Sequence, residues 1–317
     1  MINCVFPPSR RSGLARRHVM KFQVICDSSA DLPGEFAAQN GVTVVPYYVS
    51  MDDAHYLKEG VDISIPDFYQ AMLDHPDCFP KTSMPTIPDY MQAMRPLVEQ
   101  GLPVLCICLT EKFSGSIQSA RNAALALTAD FPDARIHVMD SQLVTALEGL
   151  FVKEAVRLRD MDIDLEEALP LLEEIRSSGR IFFTTKDLKY LEHGGRLSKA
   201  ASTAGSLLNL KPILCFHGGK LDAPEICRGR KKSLKKVVDN FFAYLSENGM
   251  NLEGYQFGTG IGVDIPEYAD FVETVEQRFR ETGIRPDEWF KVRIGATIGV
   301  HTGPYPMGLG ILKKANI

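Results

Sequence analysis

The sequence predicts a two-domain α/β protein. It expects an N-terminal three-layer α/β/α domain on a parallel sheet, followed by a C-terminal α/β domain with a mixed sheet. Three observations carry this reading. Apolar, β-branched runs alternate with helical segments through the first half, the rhythm of a doubly wound sheet. The run Val104-Leu105-Cys106-Ile107-Cys108-Leu109 is apolar throughout, as a strand covered on both faces requires. Beyond about residue 180 the order changes to short β pieces around Gly218-Gly219, a hairpin turn signal. The boundary therefore falls near residue 170, giving 20–170 and 171–317 as the two units.

The elements follow in order. Phe22 to Cys26 reads as the first strand, ending in Asp27-Ser28-Ser29-Ala30-Asp31-Leu32-Pro33, a turn rich in capping side chains. Val42 to Val49 is β-branched and aromatic, a second strand. Ile65 to Leu73 starts a helix with Pro66 in its first turn, and 86–100 forms another. A helix beginning near Ser114 precedes a strand from Ala134 to Met139 and a helix over 142–159. The second half reads as helix 164–178, strand Arg180–Thr185 and β pieces at 211–215, 219–221 and 224–228. Helix 231–247, a glycine-rich strand over 254–263, helix 266–282 and strand 290–294 complete it. A strand-like apolar run from Ile294 to Val300 then leads into the last loop.

Bulk composition excludes several classes. With 317 residues, 45% of them hydrophobic, the chain can bury a large core. A net charge of −5 argues against nucleic-acid binding, which draws on a basic excess. No apolar stretch reaches the ~20 residues that span a bilayer, so a soluble protein without stable membrane insertion is expected. Seven cysteines with no CxxC pair fit free thiols in a reducing, cytoplasmic setting rather than a disulfide framework. Cys106 and Cys108 share a strand face, but no His or Cys follows at ligand spacing, so core packing is the reading and no metal is expected. Residues 1–19 are basic and lack an apolar h-region; they read as a disordered tail or an over-extended start. Gly258-Thr259-Gly260-Ile261-Gly262 resembles a dinucleotide loop but lacks the third glycine at the right spacing, and reads as a strand. No cofactor is expected.

Four polar elements could carry chemistry. Thr82 and Ser83 stand just ahead of Pro85 and Pro88, which stiffen their backbone. A Thr-Ser pair in a loop is ordinarily a cap or turn; it can also donate two hydrogen bonds to one carboxylate without adding charge. Ser114 precedes Gly115 where a buried strand gives way to a helix, a place for an N-cap and equally for an anion. Asp27-Ser28, Ser114-Gly115 and Asp140-Ser141 each follow a strand directly, and ligands of such sheets bind at the strands' carboxyl ends.

Arg196 follows two glycines, which allow a ligand close to the backbone. Its guanidinium suits a carboxylate or phosphate, though Asp187 and Glu192 are near enough in sequence to pair with it. Arg228 opens a basic run through Lys236, read either as the solvated face of a helix or as a docking patch for an acidic partner. His301 sits in Val300-His301-Thr302-Gly303-Pro304, expected as a loop at a strand end. Hydroxyls, an Arg and a His on such turns suit a carboxylate or phosphate ligand.

In their order and spacing these pieces resemble the DegV family of bacterial fatty-acid-binding proteins. The matching segments are Asp27-Ser28-Ser29-Ala30-Asp31-Leu32, Thr82-Ser83-x-Pro85, Ser114-Gly115-x-x-Gln118-Ser119-Ala120 and Asp140-Ser141. Further on come Leu191-Glu192-His193-Gly194-Gly195-Arg196-Leu197, Lys211-Pro212-Ile213-Leu214, Arg228-Gly229 and His301-Thr302-Gly303-Pro304. The likeness runs from about Phe22 to the C-terminus. It implies a long-chain fatty acid between the domains, its carboxylate held by Thr82, Ser83 and Ser114 with His301 beside it. It also implies a separate ATP-dependent kinase subunit that receives the fatty acid and makes an acyl phosphate for phospholipid synthesis. Arg196 and Arg228 would then support phosphotransfer or contact that partner, and the chain itself would be no enzyme.

Two rival readings compete. A Ser/His lipid hydrolase or acyltransferase would use Ser114 and His301, but no Gly-x-Ser-x-Gly elbow surrounds Ser114. A relative of the dihydroxyacetone kinases would share the architecture, but no nucleotide motif is present. Deleting Met1 to Val19 is expected to leave melting temperature and lipid binding unchanged; a large drop in melting temperature would show that this segment packs on the body.

Overall fold

The computed structural model describes residues 21–186, 188–196, 209–250, 252–263, 265–282 and 289–317. The segment 1–19, Cys4 and Asp187 lie outside them. The first half runs β1 (Gln23–Asp27), α1 (Gly34–Gln39), β2 (Thr43–Val45), β3 (Tyr48–Ser50), β4 (Leu57–Lys58), α2 (Ile65–Asp74) and β5 (Lys81–Ser83). It continues with α3 (Ile87–Glu99), β6 (Val104–Cys108), α4 (Ser116–Asp130), β7 (Ile136–Asp140) and α5 (Thr145–Asp160). Then come α6 (Leu165–Arg176), β8 (Arg180–Thr184), α7 (Lys189–His193), β9 (Leu210–His217), β10 (Lys220–Arg228) and α8 (Arg230–Glu247). The chain closes with β11 (Tyr255–Ile261), α9 (Glu267–Glu281), β12 (Trp289–Arg293), α10 (Ala296–Thr302) and β13 (Met307–Lys313).

Three sheets result. Strands β2-β1-β6-β7 form a parallel sheet in that order. The second sheet, β10-β9-β8-β13-β11-β12, is antiparallel except for the β11–β12 pair. A small antiparallel sheet, β4-β3-β5, is inserted in the chain between β2 and β6 of the parallel sheet. The fold class is therefore the expected one: a parallel α/β/α unit and a mixed-sheet unit.

Period-two alternation explains the layers. Ile25, Val104, Cys106 and Cys108 face one way from the parallel sheet and pack on Tyr90 and Met94 of α3 and Ile117 and Leu127 of α4. Val24, Cys26, Leu105 and Ile107 face the other way and meet α5. The far side of α5 meets Ile181, Leu214, Val292 and Leu312 of the mixed sheet in the same cluster. Helices α8 and α9 cover that sheet's opposite face through Phe241, Phe242 and Phe279 against Phe182 and Phe257. One helix thus serves both sheets, and 13 of its 16 residues are buried.

Three expectations change. The run Val42 to Val49 is two strands in different sheets, because Pro46, with no N–H to donate, falls between Val45 and Tyr48. Thr82 and Ser83 belong to β5 rather than a loop: they pair with Val49 and Tyr48. The run from Ile294 to Val300 forms no strand: Gly295 caps α10, with His301 in its last turn. Its unbroken apolarity reflects a short helix buried all round, a pattern that does not distinguish helix from strand.

Helix α5 approaches its neighbours so closely that one glycine is needed. A Cβ at Gly149 would lie 2.6 Å from the Ala30 carbonyl oxygen and 2.7 Å from Phe290 Cε1. Gly149→Ala should therefore destabilise the protein by roughly 1–3 kcal/mol, despite alanine's better helix propensity. Urea unfolding measures it, and an unchanged midpoint would contradict this contact.

Candidate functional site

A cavity of about 240 Å³ opens where the parallel sheet's carboxyl edge, the mixed sheet and α10 meet. One ordered water needs only about 10–15 Å³ on that measure, so this is room for a ligand. Val144, Ile181, Phe183, Phe216 and Leu309 make much of the wall apolar. Gly258 and Gly260 of β11 and their partners Gly310 and Gly308 of β13 also line it. Tyr47, Thr82, Ser114, Arg196 and His301 supply polar groups.

The geometry brings Thr82, Ser114, Arg196 and His301 together from positions spread over 220 residues. Thr82 Oγ1 lies 3.4 Å from His301 Nε2. Its neighbour Ser83 is exposed and absent from the lining, because successive residues of β5 point to opposite faces. Arg228 is likewise exposed at the end of β10 and does not line the cavity. The basic run after it is partly paired: Arg230 with Glu267, Lys235 with Asp239 and Lys236 with Glu225.

Ser114 is not the N-cap of α4; that position is Gly115. Its Oγ still serves the helix start, accepting from Ser116 N at 3.1 Å, and it accepts from the Tyr47 hydroxyl at 2.7 Å. Arg196 follows α7, and its guanidinium donates to the carbonyls of Gly194 and, at 3.2 Å, Phe113. Among the described residues, these two carbonyls hold it at the cavity wall. His301 fits because residue 194 is glycine: a Cβ there would lie 2.2 Å from His301 Nδ1. Burial and the Arg196 guanidinium hold the His301 imidazole down at about 4, so it is neutral at pH 7. Its Nδ1 is buried and, among the described residues, has no hydrogen-bond partner.

A buried carboxylate network, not anticipated from the sequence, supports this end of the cavity. Glu59 accepts from Ser28 Oγ at 2.6 Å, Thr297 N at 3.1 Å and Thr297 Oγ1, while Asp31 accepts from Gly295 N at 2.8 Å. Both carboxylates thus sit at the start of α10 and fix the helix that carries His301. Asp27, at the end of β1, accepts from Leu109 N, Ser116 Oγ and Ser29 N. The sequence signal was there, in the acidic and hydroxyl residues after β1, but reads locally as capping.

One hydroxyl settles a protonation state. Ser29 Oγ lies 2.5 Å from Asp27 Oδ1 and 2.8 Å from Glu148 Oε2. A serine has one hydrogen to donate, so one of the two carboxyls must supply the other. Asp27 has several further donors, whereas Glu148 is 0% exposed and its Oε1 has no partner among the described residues. The proton belongs on Glu148. Burial, and then the charge of Asp27, push its carboxyl well above the ordinary range; burial raises Asp27 to about 6.

Comparisons with known proteins bear on identity. The family model of the DegV family, described as uncharacterised proteins, matches residues 21–314. The chain belongs to the DegV family. A solved stearic acid-binding protein from Eubacterium ventriosum is 38% identical, with a TM-score of 0.87, and the match covers 92% of this chain and 98% of that one. A fatty-acid-binding DegV family protein from Thermus thermophilus is 29% identical, with a TM-score of 0.79 and coverage of 93% and 100%. A DegV domain-containing protein of Caldanaerobacter subterraneus is 29% identical over 295 residues, 93% of this chain and 99% of that protein. Among the described residues, no helix of this DegV protein is long and apolar enough to cross a membrane, and no cluster of His, Cys, Asp and Glu could hold a metal.

The protonated Glu148 has a measurable consequence. Its folded value lies above the ordinary 4.5, so the folded protein binds this proton more tightly than the unfolded chain. The group's contribution is therefore complete below the unfolded value and is lost as pH rises above it. Glu148→Gln keeps a neutral donor to Ser29 and has no such loss. As pH rises above about 5, and until Glu148 ionises in the folded protein, the variant should gain on the wild type by up to about 1.4 kcal/mol per pH unit. Thermal melts at several pH values test this, and a constant difference would place the proton elsewhere.

Proposed function

We propose that this protein binds a long-chain fatty acid, with the acyl tail in the apolar cavity and the carboxylate at Thr82, Ser114 and His301. The observation that carries the reading is the pairing of a large apolar cavity with neutral donors. Burying sixteen carbons at ~0.8 kcal/mol each contributes on the order of 12 kcal/mol before ordering costs. The tail therefore supplies most of the affinity and the head-group donors set orientation. Neutral donors suit a ligand that must later be handed on. The fatty-acid-binding relatives support the same ligand class.

The second half of the proposal is that the protein presents the bound carboxylate to a separate ATP-dependent kinase subunit for acyl-phosphate formation. Arg196, held at the cavity by two carbonyls, is placed to offset charge as a phosphoryl group arrives. Arg228 and the neighbouring Lys231 and Lys232 lie on the surface and suit contact with an acidic face of the partner. A hydrolytic reading finds less support: Ser114 is bonded to Tyr47, and among the described residues no carboxylate orients His301 Nδ1.

Protein purified from a bacterial host should carry about one fatty acid, identified by mass spectrometry of an organic extract. A lipid-free preparation that also fails to bind palmitate or oleate would end the proposal. Thr82→Ala and Ser114→Ala should each weaken binding about 2- to 10-fold, one neutral hydrogen bond's worth. Arg196→Ala and Arg228→Ala should leave binding nearly intact but sharply reduce acyl-phosphate formation with a cognate kinase. Normal turnover in both would remove their role and leave the basic run as a solvated helix face.

A further inference from the structure

We propose that Tyr47 is a positioning residue of the head-group site, forcing the Ser114 hydroxyl to act only as a donor toward the cavity. The inference rests on the fatty-acid reading above and deepens it. Tyr47 follows Pro46 in the link between β2 and β3, at the carboxyl edge of the parallel sheet, and is 3% exposed. Its backbone is held at both ends: its N–H donates to Ser28 Oγ at 3.0 Å and its carbonyl accepts from Glu59 N at 2.9 Å. The ring therefore has little freedom, and its hydroxyl reaches Ser114 Oγ at 2.7 Å.

Counting hydrogens gives the consequence. A serine oxygen has two lone pairs and one hydrogen. Tyr47 Oη–H fills one lone pair and Ser116 N–H the other, at 3.1 Å. Ser116 is itself fixed, because its Oγ donates to Asp27 at 3.2 Å. Ser114 is left with a hydrogen to give and nothing with which to accept. An ionised carboxylate only accepts, so it matches this site; an alcohol or primary amide brings a hydrogen that Ser114 cannot receive. Unpaired polar groups in such a site carry the penalty that makes hydrogen-bond selectivity large. Tyr47 thus selects for the carboxylate over neutral head groups on the same tail.

The test compares palmitate with hexadecanol on the wild type and on Tyr47→Phe, an isosteric change that keeps the ring packing. The wild type should prefer the acid. In the variant, acid affinity should fall about 2- to 10-fold, one hydrogen bond's worth, while alcohol affinity holds or rises, so the ratio collapses. An equal loss for both ligands, or an unchanged ratio, would overturn the assignment. A wild type that binds neither ligand would refute the fatty-acid reading and this inference with it. Carboxyl-labelled palmitate followed by carbon NMR gives a second readout on folded protein. Donors to the ionised form lower a carboxyl pKa, so the bound ligand should titrate higher in Tyr47→Phe than in the wild type. Identical titration curves would count against Tyr47.

Discussion

Helix α5 has almost no face turned to water, and the rest of the molecule is arranged around that. Its apolar residues join the parallel and mixed sheets in one core, so neither sheet buries its inner face without it. A helix in that position must also dispose of its polar groups internally. Glu154 does so by accepting from Arg157, Gln256 and the Ala315 backbone, which ties the last residues of the chain to the core. Glu148 does so by holding a proton. Where α5 begins, Thr145 and Ala146 do not fill the space between the two sheets, and the cavity lies there.

The same geometry sets the electrostatics of the site. Asp27, Asp31, Glu59 and Glu148 are buried close to the polar end of the cavity. Left ionised and unpaired, four such groups would repel an incoming carboxylate and destabilise the fold. They are instead satisfied by backbone N–H groups, by serine and threonine hydroxyls and, at Glu148, by protonation. These contacts place α10, the loop after β6 and Ser116. The groups left facing the cavity are donors, and the Arg196 guanidinium is the positive charge among them. Carboxylates in the supporting layer and donors in the lining suit the proposed anionic head group.

Much of this architecture was legible in the chain. The strand–helix rhythm, the apolar β6, the Gly218-Gly219 hairpin and the polar residues after each parallel strand depend on local periodicity and turn chemistry, which operate over a few residues. Thr82, Ser114, Arg196 and His301 could be named as candidates because each stands beside a Gly or Pro that shapes its backbone. The partners that orient them could not. Tyr47 reads as one more aromatic in a β-branched run until Pro46 breaks it, and Glu148 as one more charge on a helix.

What the sequence determined by itself was therefore the inventory: which segments become strands or helices, and which residue types are available to hold an anionic head group beside an apolar tail. Tertiary structure decided the rest. It turned Ser83 outward while its neighbour faces the cavity, made a helix of the run before His301, set Arg228 on the surface and gave Glu148 its proton. Each outcome depends on which groups meet across 60 to 260 residues of chain, as Tyr47 with Ser114, Ser29 with Glu148 and Asp31 with Gly295. Hydrogen-bond saturation and desolvation act between such neighbours, and only the folded arrangement makes them neighbours.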